Sequence, residues 1–153
     1  MYKRILVPLD GSELAECVFP HMEAIAGGCS VPEVVFLRVV EPFTMPTGGE
    51  AVISAEMASQ LEEQANDEAK TYLERVKGRL KIGSAIKTAM LHGRAAETIA
   101  DYAAKNEIDL IIIATHGRSG VSRWLLGSVA DRVVRSTCVP VLMVLAPGCV
   151  PGI

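Results

Sequence analysis

No apolar run in this sequence comes near the ~20 residues that a membrane-crossing helix needs. Met1 leads through Lys3 and Arg4 into a short apolar stretch that ends at Pro8-Leu9-Asp10. No signal-peptide core is recognisable there, and the expectation is a soluble, cytoplasmic protein without a membrane partner. Surplus positive charge is missing as well. The 15 Lys and Arg face 18 Asp and Glu, for a formal net charge of −3, which gives no pull toward DNA or RNA. Cys17, Cys29, Cys138 and Cys149 form neither a C-x-x-C pair nor a Cys/His ligand spacing, so they read as buried thiols rather than disulfides or metal ligands. Two nucleotide motifs are also lacking. There is no G-x-x-x-x-G-K-[ST], and no G-x-G-x-x-G follows the first strand-like run, which removes a P-loop lysine and a dinucleotide fingerprint.

What is present is half hydrophobic and only 22% charged over 153 residues, a globular composition sized for one core. Residues 1–146 are read as a single domain and 147–153 as a short tail. Strand-like and helix-like patterns alternate along it. Lys3–Leu9 is an apolar strand, and Ser12 offers an N-cap for a helix through Ala26 that Gly27-Gly28 closes. Glu33–Val40 is a second strand, followed by a loop with two prolines and paired glycines. From Ala55 to Leu80, the residues Ala58, Leu61, Ala65, Ala69, Tyr72, Val76 and Leu80 recur at spacings of three and four, the pattern of one buried helical face. A third strand over Ser84–Leu91, a helix over Ala95–Lys105, a strand over Leu110–Ala114, a helix over Ser128–Ser136 and a strand over Val139–Leu145 complete the chain.

Such alternation predicts an α/β fold with parallel strands, right-handed crossovers and helices on both faces. In doubly wound sheets, ligands sit beyond the carboxyl ends of the strands where the strand order reverses. The richest such end is Ala114-Thr115-His116-Gly117, which runs on through Gly120 to Gly127-Ser128 at the start of a helix. A helix N-terminus presents unpaired N–H groups and suits an anion. Ser128 is then either a phosphate-facing hydroxyl or the cap of its own helix, in a capping box with Asp131. Asp10 either faces a ligand from the end of the first strand or caps the first helix. His116 either contacts a phosphate or is simply solvated.

Gly117, nine residues, then Gly127-Ser128, together with the opening Ile5-Leu-Val-Pro-Leu-Asp-Gly-Ser12 and the closing Cys138-Val-Pro-Val-Leu-Met-Val144, closely resembles the universal stress protein family over nearly the whole chain. The resemblance implies a five-stranded doubly wound parallel sheet of order 3-2-1-4-5, a Rossmann-like fold of the adenine nucleotide alpha hydrolase-like type. It implies ATP as ligand, with Mg or Mn. By position, it places Pro8, Leu9 and Asp10 beside the adenosine, Asp10 toward the ribose or a phosphate-bound divalent ion, Val39 against the adenine, and His116, Gly117, Gly127, Ser128 and Val129 around the phosphates. The family's nucleotide-binding branch carries a glycine where this chain has Ala114, a departure of one methyl group.

Nothing here resembles a hydrolytic apparatus with an assigned nucleophile and base, so the expectation is a binding and regulatory module with at most slow ATP hydrolysis. The alternative is an interaction protein of the same fold that has lost its nucleotide. With strands three and five at the sheet edges, the third is guarded by Lys87, whereas Val139–Leu145 carries no charge. A homodimer through that last strand is therefore expected, as the resemblance also implies.

Overall fold

The computed structural model describes residues 1–42, 54–115 and 127–146. Five parallel strands form one sheet: β1 (Arg4–Pro8), β2 (Glu33–Val40), β3 (Ala85–His92), β4 (Leu110–Ala114) and β5 (Val141–Val144). Their spatial order is β3-β2-β1-β4-β5, as the resemblance implies. The helices are α1 (Phe19–Gly28), α2 (Ala55–Arg79), α3 (Ala95–Lys105) and α4 (Ser128–Ser136). Among the described residues, no helix is long and apolar enough to cross a membrane.

The central strands are apolar at successive positions because both of their faces are covered. Ile5, Val7, Val34, Phe36, Leu110 and Ile112 join Phe19, Met22, Tyr72 and Val76 of α1 and α2 in one core. Leu6, Val35, Leu37, Ile111 and Ile113 join Ala96, Ile99, Ala130 and Val133 of α3 and α4 in the other. The period of two along each strand thus separates two aliphatic cores, and the helix pairs lie on opposite sides of the sheet. At the opposite ends of the strands from the cavity described below, Asp109 fastens β4 to β1. Its Oδ2 accepts the N–H groups of Lys3 and Arg4 at 2.6 and 2.8 Å.

Several expectations are corrected. The first helix does not run unbroken from Ser12. The chain makes a 3-10 turn over Ala15–Val18 before α1 begins at Phe19, with Pro20 in its first turn. Ser12 serves the head of that turn, its Oγ accepting the Ala15 N–H at 3.2 Å. Gly27 and Gly28 lie inside α1 rather than beyond its end. The left-handed residue after the helix is Ser30, at φ 50, flanked by the bonds Ser30 N–H to Gly27 O and Val31 N–H to Ala26 O of a Schellman close. The buried stripe of α2 covers only its second half: Ala69, Tyr72, Leu73 and Val76 are buried, whereas Leu61 is 38% exposed. A helix of 25 residues is ~38 Å long at 1.5 Å per residue, against ~26 Å for an eight-residue strand. The first turns of α2 therefore outrun the sheet that would bury them.

β3 begins and ends one residue later than expected, and β5 is shorter. The cysteines are not uniformly buried: Cys17 and Cys29 are intermediate and Cys138, in the turn before β5, is exposed, while Cys149 lies outside the described residues. The expected tail, 147–153, also falls outside them.

Candidate binding site

Three features of the sequence converge where the strands end. β1 gives out at Pro8, and Gly11, at φ 88, turns the chain away. The Asp10 carboxylate fixes that turn by accepting both the backbone N–H and the hydroxyl of Ser12 on Oδ1, at 2.9 and 2.6 Å. Asp10 thus holds an Asx-type turn rather than capping α1. β4 gives out at Ala114, and beyond it Thr115 is fully enclosed at 1% exposure. The Thr115 carbonyl accepts the Gly127 N–H at 2.6 Å, and the Thr115 N–H donates to Val144 O at 2.9 Å. The start of α4 is thereby held at the end of β4, between β1 and β5.

A cavity of about 610 Å³ opens over these carboxyl ends, within the range of small-molecule sites. It brings together Pro8, Leu9, Asp10, Val39, Ala114, Gly127, Ser128 and Val129. His116 and Gly117 lie outside the described residues. Ala65, Glu68, Ala69 and Tyr72 of α2 form one wall, and Ala95 and Ile99 of α3 another. Ala65 and Glu68 extend this wall from the buried Ala69 and Tyr72 toward the start of α2.

The polar groups of the cavity differ from end to end. At the α4 end, Gly127 is the N-cap, with an extended ψ of 135, and no side chain among the described residues caps the helix. The capping-box reading of Ser128 is therefore excluded: Ser128 is the first residue inside the helix, and Asp131 instead pairs with Arg135 at 3.0 Å. The first-turn N–H groups of Ser128, Val129 and Ala130 have no intrahelical acceptor, and all three residues line the cavity. At the β2 end, Arg38 donates from Nη1 to the Val39 carbonyl at 3.2 Å, and the Glu41 carboxylate accepts the Ala95 N–H at 3.1 Å. Tyr72 is buried, and its hydroxyl lies beside Glu16 without a well-directed hydrogen bond. Burial first, and then the Glu16 carboxylate, push its ionisation well above the ordinary tyrosine value, so it stays neutral.

Sequence reasoning missed Thr115, Arg38, Glu41 and Tyr72. Thr115 stands inside the glycine stretch and Glu41 directly follows the second strand, so position at a strand's carboxyl end was the available signal. Tyr72 gave none beyond its place in the α2 stripe. Among the described residues, no group of three or more His, Cys, Asp or Glu is placed to hold a metal ion.

A doubly wound parallel sheet with its cavity at the reversal between β1 and β4, and a helix N-terminus on the cavity wall, defines a Rossmann-like α/β protein. The model of the universal stress protein family matches residues 1–144, and the chain belongs to that family. Universal stress protein MJ0531 of Methanocaldococcus jannaschii is 38% identical over 151 residues, covering 96% of this chain and 84% of the relative. The solved structure of MJ0577, from the same organism, superposes with a TM-score of 0.84 at 31% identity, covering 97% of this chain and 99% of that one. An Arabidopsis thaliana family member solved with AMP bound shares the fold, with a TM-score of 0.64 at 14% identity and coverage of 95% and 93%.

Proposed function

We propose that this chain binds ATP in the cavity at the β1/β4 reversal and acts as a nucleotide-dependent regulatory module. The observation that carries the reading is the α4 terminus, open among the described residues, on a cavity that also gathers Pro8, Leu9, Asp10 and Val39. The adenine lies against Val39 among Ala95 and Ile99. The phosphates lie on the Ser128 and Val129 N–H groups, with the Ser128 hydroxyl beside them. His116 and Gly117 complete the phosphate end by their place in the motif. That a protein of this fold holds AMP, as the Arabidopsis relative does, supports an adenine nucleotide as the ligand class. Asp10 would be the protein partner of a phosphate-bound Mg or Mn, since such ions commonly need only one or two carboxylates beside phosphate oxygens, and the ion would supply neutralisation of phosphate charge there.

Regulation rather than rapid turnover fits the charges on the wall. Among the described lining residues these are Asp10, Glu41 and Glu68 against Arg38, whereas fast phosphoryl transfer calls for several cations around the transferred group. The protein pairs with a second copy through β5, an edge strand whose Val141, Leu142 and Met143 are only half-buried. The other edge carries Lys87, paired with Glu33. Replacing Leu142 with Lys is expected to give monomers by light scattering, and an unchanged dimer would sink the edge pairing.

The nucleotide reading is tested by denaturing freshly purified protein and running the supernatant on an anion-exchange column. Adenine nucleotide is expected to elute. Its absence, together with no thermal shift in millimolar ATP and magnesium, would decide for an interaction protein without nucleotide.

A further inference from the structure

Two helix N-termini border the cavity, and they are furnished differently. Among the described residues, no side chain accepts a hydrogen bond from the first turn of α4. At α3, the N-cap residue Arg94 supplies no side-chain cap either, but the Glu41 carboxylate reaches in from the end of β2 and accepts the Ala95 N–H through Oε1 at 3.1 Å. Both Glu41 and Ala95 line the cavity. An anionic ligand group seeks that position at a helix N-terminus, and here the chain provides the anion itself.

Backbone on both sides fixes the contact. Gly93 donates its N–H to Val40 O at 3.2 Å, immediately before Glu41 in space and in chain. Gly93 adopts φ +141, and a Cβ there would meet Thr98 Oγ1 at 2.7 Å, so the turn that aims α3 at β2 requires glycine. Glu68 and Asp10 add two further carboxylates to the same cavity, while the Arg38 guanidinium is directed to the Val39 carbonyl.

We infer that Glu41 is a specificity-determining residue: by filling the α3 terminus it leaves α4 as the open helix terminus among the described residues of the cavity, and rejects nucleotides that carry a second phosphate on the nucleoside. This rests on the nucleotide reading proposed above. AMP or ATP, with all its phosphate on the 5′ oxygen, turns an uncharged base and ribose toward Glu41. A nucleoside bisphosphate brings a second anion against the carboxylate, and like-charge juxtaposition at a binding site disfavours the wrong ligand.

The test compares wild type, Glu41→Gln and Glu41→Ala. Calorimetric titration uses AMP, adenosine 3′,5′-bisphosphate and adenosine 2′,5′-bisphosphate. Wild type is expected to prefer AMP to both bisphosphates by about tenfold or more, and Glu41→Gln, which keeps the shape and loses the charge, to narrow that ratio by about tenfold. A ratio unchanged in the Gln variant overturns the inference. In the second arm, inorganic phosphate is added during thermal melting, which needs no nucleotide. Glu41→Ala, with its α3 terminus vacated, is expected to gain more in Tm than wild type, and an equal gain overturns the claim that Glu41 occupies an anion-receptive terminus. If wild type binds none of the three nucleotides, the nucleotide reading has failed, and the phosphate arm decides the role of Glu41 by itself.

Discussion

The Gly127 amide donates to the Thr115 carbonyl at 2.6 Å, and this bond clasps the end of β4 to the start of α4 across residues 116–126. The Gly127 N–H is thereby directed to Thr115, so the first-turn N–H groups on the cavity wall without an intrahelical acceptor are those of Ser128, Val129 and Ala130. The Thr115 hydroxyl extends the clasp, accepting the Ala146 N–H at 3.4 Å just beyond β5.

Thr115→Val keeps the backbone bonds and the volume but removes that hydroxyl, leaving a buried N–H without its acceptor. A loss of about 1 kcal/mol is expected, read as a fall of about 2–4 °C in Tm for a chain of this length. A variant as stable as wild type would show that the hydroxyl contact is too long to matter.

Ser128→Ala separates a ligand from a cap. Loss of a capping serine costs about 1 kcal/mol, but Gly127, not Ser128, holds the N-cap position. The expected result is unchanged or slightly higher stability in chemical denaturation together with weaker ATP binding. Destabilisation without a change in affinity would return Ser128 to a structural role.

Two helices close on residues that are not glycine. Ser30 follows α1 at φ 50 and Glu107 follows α3 at φ 52, each in a left-handed conformation that costs a non-glycine residue about 1–2 kcal/mol. Both Ser30→Gly and Glu107→Gly are expected to raise stability by about 1 kcal/mol, since the relief of strain exceeds the added freedom of the unfolded chain. Urea titration checks each, and a decrease in midpoint at either site would contradict this reading of the turn.

Acid should loosen the strand ends first. Hydrogen bonding to Lys87, and then the charge of Arg4, hold Glu33 below its ordinary value of 4.5 against the opposing effect of burial. The Lys3 and Arg4 N–H groups hold Asp109 below 3.8. Both groups have folded values lower than their unfolded ones, so their stabilisation is complete above the unfolded values and disappears as pH falls through the folded ones. Stability of the double variant Glu33→Gln, Asp109→Asn should therefore fall less steeply than wild type as pH is lowered from about 5. Parallel curves would contradict it.

The alternation of strands and helices was legible because each central strand is apolar at successive positions and each crossover helix carries a 3.6-residue stripe. β2, β4, α3 and α4 lie where those patterns start and stop. Where other physics intervened, the patterns misled. Leu61 keeps the spacing of a buried position, yet α2 has already passed the edge of the sheet there. Gly27 and Gly28 looked like a helix stop, but the chain turns left-handed at Ser30. Ser128 with Asp131 matched a capping box, but Gly127 took the cap, and only the backbone dihedral distinguishes the two. The cavity lining was legible at the strand ends Asp10, Val39 and Ala114. Glu41, although it directly follows β2, and Tyr72 were not, because a carboxylate reaching 54 positions along the chain to cap α3, and a core tyrosine that also lines the cavity, are products of packing.

Val129→Glu tests the central claim most directly. Val129 lies in the first turn of α4, on the cavity wall and 36% exposed. A carboxylate there suits the helix dipole while placing negative charge where the phosphates are proposed to lie. Calorimetric titration of ATP with magnesium into nucleotide-free protein is expected to give saturable binding for wild type and none for Val129→Glu, with the variant folding at least as stably. Equal affinity in the two proteins would contradict a phosphate site at the α4 terminus.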